Sequence, residues 1–137
     1  MINNDVIIYT DGSSRGNPGP GGYGIVMEDC KTGFTKQYSQ GFRKTTNNRM
    51  ELLAVIEALK KLTKKELKIT VFTDSKYVVD SVEKKWVFKW KKNGFKNKKN
   101  VDLWLEFLKV QELNNISFKW IKGHNNHPQN EICDKLA

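Results

Sequence analysis

Cysteine and proline are scarce in this chain, two and three residues of 137, and no apolar run exceeds five residues. Two cysteines cannot form a disulfide framework, so a hydrophobic core must hold the domain together. Runs such as Val6 to Tyr9 and Leu52 to Ile56 fall far short of the ~20 residues a membrane span needs, and no span is expected. The opening Met1-Ile2-Asn3-Asn4-Asp5 lacks the basic and apolar regions of a secretory signal, so a reducing, cytoplasmic setting is the expectation. Linkers, repeats and low-complexity segments are also missing. The length amounts to about one domain, and residues 1–137 are read as one.

Acidic residues are the minority, 15 against 24 Lys and Arg, for a net charge of +9. An anionic partner follows. The excess is concentrated: between Lys84 and Lys99 lie eight lysines and no acid, and removing those eight charges leaves +1 for the rest. A nearly neutral body with one basic segment fits a localised polyanion contact, because clustered cations gain affinity by releasing the counterions of phosphates. Trp86, Phe88, Trp90 and Phe95 are interleaved with these lysines. They could stack on bases or sugars, or simply form the inward face of an amphipathic helix.

Val6-Ile7-Ile8-Tyr9-Thr10 is a β-branched and aromatic run, apolar on both faces, and predicts a central strand ending at Asp11. Gly12 to Gly24 reads as a loop, Tyr23 to Met27 as a second strand, Lys31-Thr32-Gly33 as a hairpin turn and Phe34 to Phe42 as a third strand. Leu52, Val55, Ile56, Leu59 and Leu62 share one helical face, with N-cap candidates at Thr45 to Asn48 and a capping-box spacing from Asn48 to Glu51. Lys68 to Thr73 is a fourth strand. Helix follows from Ser75 to about Lys92 and from Asn100 to Leu113, then a fifth strand at Ile116 to Ile121 and a last helix beginning after Pro128. An antiparallel meander followed by alternating helices and strands predicts an α/β domain with a mixed five-stranded sheet.

Two strand ends repeat a pattern, Tyr9-Thr10-Asp11-Gly12-Ser13 and Phe72-Thr73-Asp74-Ser75. A helix separates the strands, so they are expected to lie parallel and adjacent, with both carboxylates at the carboxyl edge where open α/β sheets bind ligands. Such a pair repels unless a cation intervenes. Glu51, early in the apolar helix, can be a cap or a third ligand; Asp134 alone reads as surface charge. Oxygen donors select Mg²⁺ or Mn²⁺. His124, His127, Cys133 and Cys30 match no usual zinc spacing, and both cysteines read as small buried hydrophobes. Gly19 to Gly24 matches G-x-G-x-x-G, but it leads into a strand and lacks the helix N-terminus that holds a pyrophosphate.

Together TDGSSRGNPGPGGYG, TTNNRMEL, FTDS, WKKNG, NVDLW and KGHNNHPQNEICDKLA resemble ribonuclease H of the type I bacterial class, in collinear order over nearly the whole chain. The resemblance implies four carboxylates, Asp11, Glu51, Asp74 and Asp134, holding two Mg²⁺ ions, with Mn²⁺ as a substitute. His124 falls on the family's mobile loop histidine, which assists proton transfer and product departure. The implied activity is hydrolysis of the RNA strand of RNA–DNA hybrids by a monomeric endonuclease, leaving 5′-phosphate and 3′-hydroxyl ends. Implied substrate contacts are Gly12, Ser13 and Asn17, then Thr46, Asn47 and Asn48, then Trp86, Trp90, Lys91 and Lys92. The chain departs from the family pattern in a short stretch at 95–100, in Lys76 where Gln often stands, and in ending three residues after Asp134, which implies a truncated last helix. Two other functions compete with this one: a non-catalytic nucleic-acid-binding domain, and another nuclease or integrase of the same fold.

Overall fold

Val6–Ser14 forms β1, the middle strand of a sheet ordered β3-β2-β1-β4-β5, in a computed structural model that describes residues 4–16 and 18–121. β2 (Gly19–Asp29) pairs antiparallel with β1 and with β3 (Thr35–Thr45), while β4 (Lys68–Thr73) runs parallel to β1, and β5 (Asn115–Trp120) parallel to β4. The expected meander and parallel pair are both present.

The glycine-rich stretch differs from its reading as a loop. β1 continues past Asp11, and Gly12↔Tyr23, Ser13↔Gly22 and Ser14↔Gly21 remain in register. Here glycine serves close packing. A Cβ on Gly12 would lie 2.5 Å from the Met50 carbonyl carbon and 2.6 Å from the Glu51 nitrogen, so only a bare Cα lets the following helix approach the strand.

That helix, α1 (Asn47–Lys60), buries Leu52, Val55, Ile56 and Leu59. It packs on β1 and β2 and is flanked by α4 (Val101–Gln111). Its cap is Thr46, whose hydroxyl accepts from the Arg49 N–H at 3.3 Å. The expected Asn48–Glu51 capping box is therefore absent, and Glu51 stands one turn further in, pointing to other work.

The single helix expected over 75–92 is two, α2 (Lys76–Glu83) and α3 (Trp86–Lys92), divided where Lys85 takes a left-handed φ of 63°. Val82 and Val87, five residues apart, would stand about 140° apart on one continuous helix. The break lets both enter the core. Beyond α3, Phe95 is buried at a left-handed φ of 57°, which pins a tight tip at 93–99 against the body. Cys30 also departs from expectation: it lies in the β2–β3 turn, which leaves it exposed.

The main core lies between the sheet and the helices, with Ile8, Ile25, Val71, Trp104 and Phe107 among its members. Side chains alternate along β1, so Tyr9 belongs to a separate cluster with Val26 and stacks on Phe72 at 5.2 Å. No helix among the described residues is long and apolar enough to cross a membrane.

Candidate active site

Parallel register brings the two matching strand ends together. Thr10 of β1 pairs with Thr73 of β4, so Asp11 and Asp74 follow at the same sheet edge. Glu51 arrives from α1 because of the close approach at Gly12, whose N–H donates to its Oε1. Carboxylate oxygens of Asp11, Glu51 and Asp74 all lie within 4.8 Å of one another. Asp11 and Glu51 are buried and Asp74 is half-buried.

Three carboxylates this close oppose each other's ionisation. Burial, then the charges of Asp74 and Asp11 and a hydrogen bond with Asp74, push the Glu51 carboxyl well above the usual range, and the Gly12 N–H only partly offsets them. The donor set is all oxygen, without nitrogen or sulfur, and suits a hard divalent cation. A cation there would remove the repulsion that otherwise favours a proton on Glu51. The residues present therefore fit Mg²⁺ or Mn²⁺.

Neighbouring hydrogen bonds hold the Asp74 backbone. The Thr73 hydroxyl accepts from the Ser75 N–H at 3.1 Å, the Ser75 hydroxyl caps α2 by accepting from the Val78 N–H at 3.2 Å, and the Trp120 indole N–H donates to the Asp74 carbonyl at 3.0 Å. Each side of Asp74 is thus fixed to a different element.

The acids open into a cleft of ≈ 380 Å³ lined also by Gly12, Ser13, Asn47, Asn48, Ser75, Lys76 and Tyr77. Asn47 and Asn48 are shared with a second cleft of ≈ 540 Å³, which Ser14, Gly16, Thr46, Lys99 and Asn100 complete. A continuous polar path runs from the carboxylates to the edge of the basic segment. Lys99 belongs to the lysine cluster that the sequence marks as a polyanion contact; Tyr77 and Asn100 carry no such local signal and Lys76 only its unusual identity, since helix packing brings them to the clefts.

The interleaved aromatics divide between their two readings. Trp90 is half-buried, edge-on to Trp104 at 6.0 Å and covered by Lys98, whose ammonium lies 4.9 Å from its ring. Phe95 is core and Phe88 packs against it. Trp86 alone of the four is substantially exposed, at 40%, with the Lys84 ammonium 5.3 Å from its ring. Lys91 and Lys92 are exposed in the last turn of α3. Asn17, His124 and Asp134 lie outside the described residues, as do His127 and Cys133.

A family model described as RNase H matches residues 3–137. The chain is 52% identical to a ribonuclease H of Desulforamulus reducens, over 97% of this chain and 85% of that protein. Among solved structures it is similar to LC9-RNase H1, a type 1 RNase H with the type 2 active-site motif, at TM-score 0.85 and 32% identity, covering all of this chain and 72% of that one. It is also similar to LC11-RNase H1 in complex with an RNA/DNA hybrid, at TM-score 0.67 and 30% identity over 96% of this chain and 95% of that one.

Proposed function

The chain belongs to the ribonuclease H family and cleaves RNA endonucleolytically in RNA–DNA hybrids, and from that premise we propose that it does so with two Mg²⁺ ions, replaceable by Mn²⁺. Asp11, Glu51 and Asp74 would hold them, joined by Asp134. When bound, the ions supply an activated water and stabilise the departing 3′ oxygen, which leaves 5′-phosphate and 3′-hydroxyl products. The observation that carries this reading is the convergence of three carboxylates at one sheet edge, on a cleft continuous with the basic segment.

The chain's own residues then have distinct tasks. Gly12 and Ser13 line the cleft beside Asp11, where the Gly12 N–H holds Glu51 and Ser13 meets the RNA strand. Asn47 and Asn48 carry amides that can both donate to and accept from 2′-hydroxyls, the group that separates RNA from DNA. Thr46 and Lys99 line the second cleft and meet the neighbouring backbone, and Asn17 is a further contact that the family resemblance implies. The lysines of α3, including Lys91 and Lys92, attract the phosphates of the second strand with Trp86 exposed among them. Trp90 acts from beneath, as the packing that keeps α3 in place. His124 assists proton transfer and product release. The protein works as a cytoplasmic monomer and as one catalytic domain.

Labelled RNA–DNA hybrid, duplex RNA, duplex DNA and single strands, each offered with Mg²⁺, test the proposal. Cleavage confined to the RNA of the hybrid, abolished by chelation and restored by Mg²⁺ or Mn²⁺, is the expected result. Binding without cleavage would instead make the chain a nucleic-acid-binding module.

A further inference from the structure

Lys76 is the first residue of α2, directly after the Ser75 cap. A cation at this end opposes the helix dipole, and α2 has no acid in its first turn to compensate. Helix stability therefore does not account for a lysine here. It lines the same cleft as Asp11, Glu51 and Asp74, yet among the described residues it makes no ion pair. Its ammonium instead lies 4.6 Å from the centroid of the Trp120 ring. Trp120 is 43% exposed, and its indole N–H is fixed on the Asp74 carbonyl. The ring thus holds the cation on the wall of the acidic cleft, unpaired with any carboxylate among the described residues.

Resting on the ribonuclease H reading above, we propose that Lys76, carried on the Trp120 ring at the mouth of the acidic cleft, binds a backbone phosphate of the RNA strand flanking the bond that is cut. The carboxylates and their cations engage the scissile phosphate, which leaves a neighbouring phosphate for a cation at the cleft's rim. An aromatic support suits this task, because the face of an indole attracts an ammonium without consuming its N–H donors. Trp120 acts through Lys76 and is a positioning residue.

The test compares wild type with K76Q, K76R, W120F and W120L in hybrid cleavage at a series of KCl concentrations, with folding checked by circular dichroism. K76Q should raise KM by up to about fivefold, in the range of exposed charge pairs, with a smaller effect on kcat. The slope of log(kcat/KM) against log[salt] should become shallower by at most about 0.9, one phosphate contact. K76R should restore most of both. W120F, which keeps an aromatic face but loses the N–H that holds the Asp74 carbonyl, should keep KM and salt slope near wild type at a reduced kcat. W120L, which loses the face as well, should place KM and salt slope between wild type and K76Q. Hybrids carrying a single neutral methylphosphonate, moved stepwise along the RNA near the cut, should contain one position at which wild type and K76Q become equal. An unchanged KM and salt slope in K76Q overturns the contact, as does the lack of any equalising position. A change only in the Mg²⁺ requirement would make Lys76 a counter-charge to the carboxylates and overturn it too. A wild-type protein that cuts no hybrid would overturn the parent reading itself.

Discussion

Arg49 grips Asp102 through two parallel hydrogen bonds, Nη1 to Oδ1 at 3.0 Å and Nη2 to Oδ2 at 2.8 Å, joining the first turn of α1 to the first turn of α4. The same Nη1 also donates to Asn100 Oδ1 at 3.0 Å. Asn100 in turn donates to the Tyr77 hydroxyl at 3.3 Å, which accepts from the Trp104 indole at 2.8 Å. One network therefore connects the cleft-lining Tyr77 and the helix bearing Asn47 and Asn48 to the end of the basic segment.

Asp102→Asn should lower stability by less than about 1 kcal/mol, because the Asp102 end of the pair is largely exposed and solvent-screened. The effect should depend on pH. The hydrogen bond from Arg49 comes first among the influences holding the Asp102 carboxyl below its usual range. A lowered carboxylate pKa contributes stability above the unfolded value near 3.9, lost as pH falls through the lower folded value. Urea midpoints of wild type and variant should accordingly differ at pH 7 and converge in strong acid.

Glu51 has the opposite sign. Its folded pKa is raised by burial and by Asp74 and Asp11, so the metal-free protein should lose stability as pH climbs from the unfolded value near 4.3 through the raised folded one. Glu51→Gln should flatten that decline and make the metal-free protein more stable at neutral pH. Saturating Mg²⁺ or Mn²⁺ should raise the melting temperature of wild type, by mass action on the folded state, and raise that of the variant less. Calorimetry with and without chelator measures both; a variant less stable at neutral pH without metal would contradict the repulsion argument.

Asp74→Asn removes the charge of a proposed metal ligand with little change of shape. Folding and hybrid binding should stay near wild type while cleavage falls below about one per cent, the loss of one metal-held charge in the transition state. Appreciable residual turnover would show that Asp74 is dispensable to the metal site.

Gly12→Ala should be the most damaging small substitution in the cleft. The new methyl meets the backbone of α1, not a flexible side chain, so relief requires moving the helix. A destabilisation of about 1–3 kcal/mol and a loss of cleavage are expected, because the shift displaces Glu51. A lowered urea midpoint together with reduced turnover would confirm it.

Lys91 and Lys92 changed together to Ala should weaken hybrid affinity and make its salt dependence shallower by at most about 0.9 per lost phosphate contact. The rate at saturating substrate should hold, since neither lysine lines the acidic cleft. Filter binding across a salt series distinguishes this from lysines that merely face solvent.

The adjacency of β1 and β4 and the meeting of Asp11 with Asp74 could be read from sequence because both rest on local patterns joined by one topological rule; the place of β5 beside β4 was not legible there. Val6 to Thr10 and Lys68 to Thr73 announce strands, and the intervening helix makes them parallel. Gly12 to Gly24 could not be read correctly, because glycine needed for close packing looks the same as glycine needed for turning. The break at Lys84–Lys85 was hidden for a related reason: both segments have helical composition, and only the need to bury both Val82 and Val87 divides them. Trp90 and Trp86 stand four apart in one lysine-rich segment, yet one packs on Trp104 and the other is exposed. That difference depends on packing against Trp104 of α4, which the local pattern does not show.

The interval from the Thr46 cap to Glu51 works as a gauge. Each residue of an α-helix advances about 100°, so a single insertion or deletion between them would swing the carboxylate away from Asp11 and Asp74 while leaving the composition unchanged. The notch at Gly12 enforces the same tolerance from the opposite side, because the strand accepts α1 only where the two backbones nearly touch. Length variation in this fold is therefore expected to collect in the β2–β3 turn and at the tip beyond α3. The five-residue interval between cap and ligand should resist it.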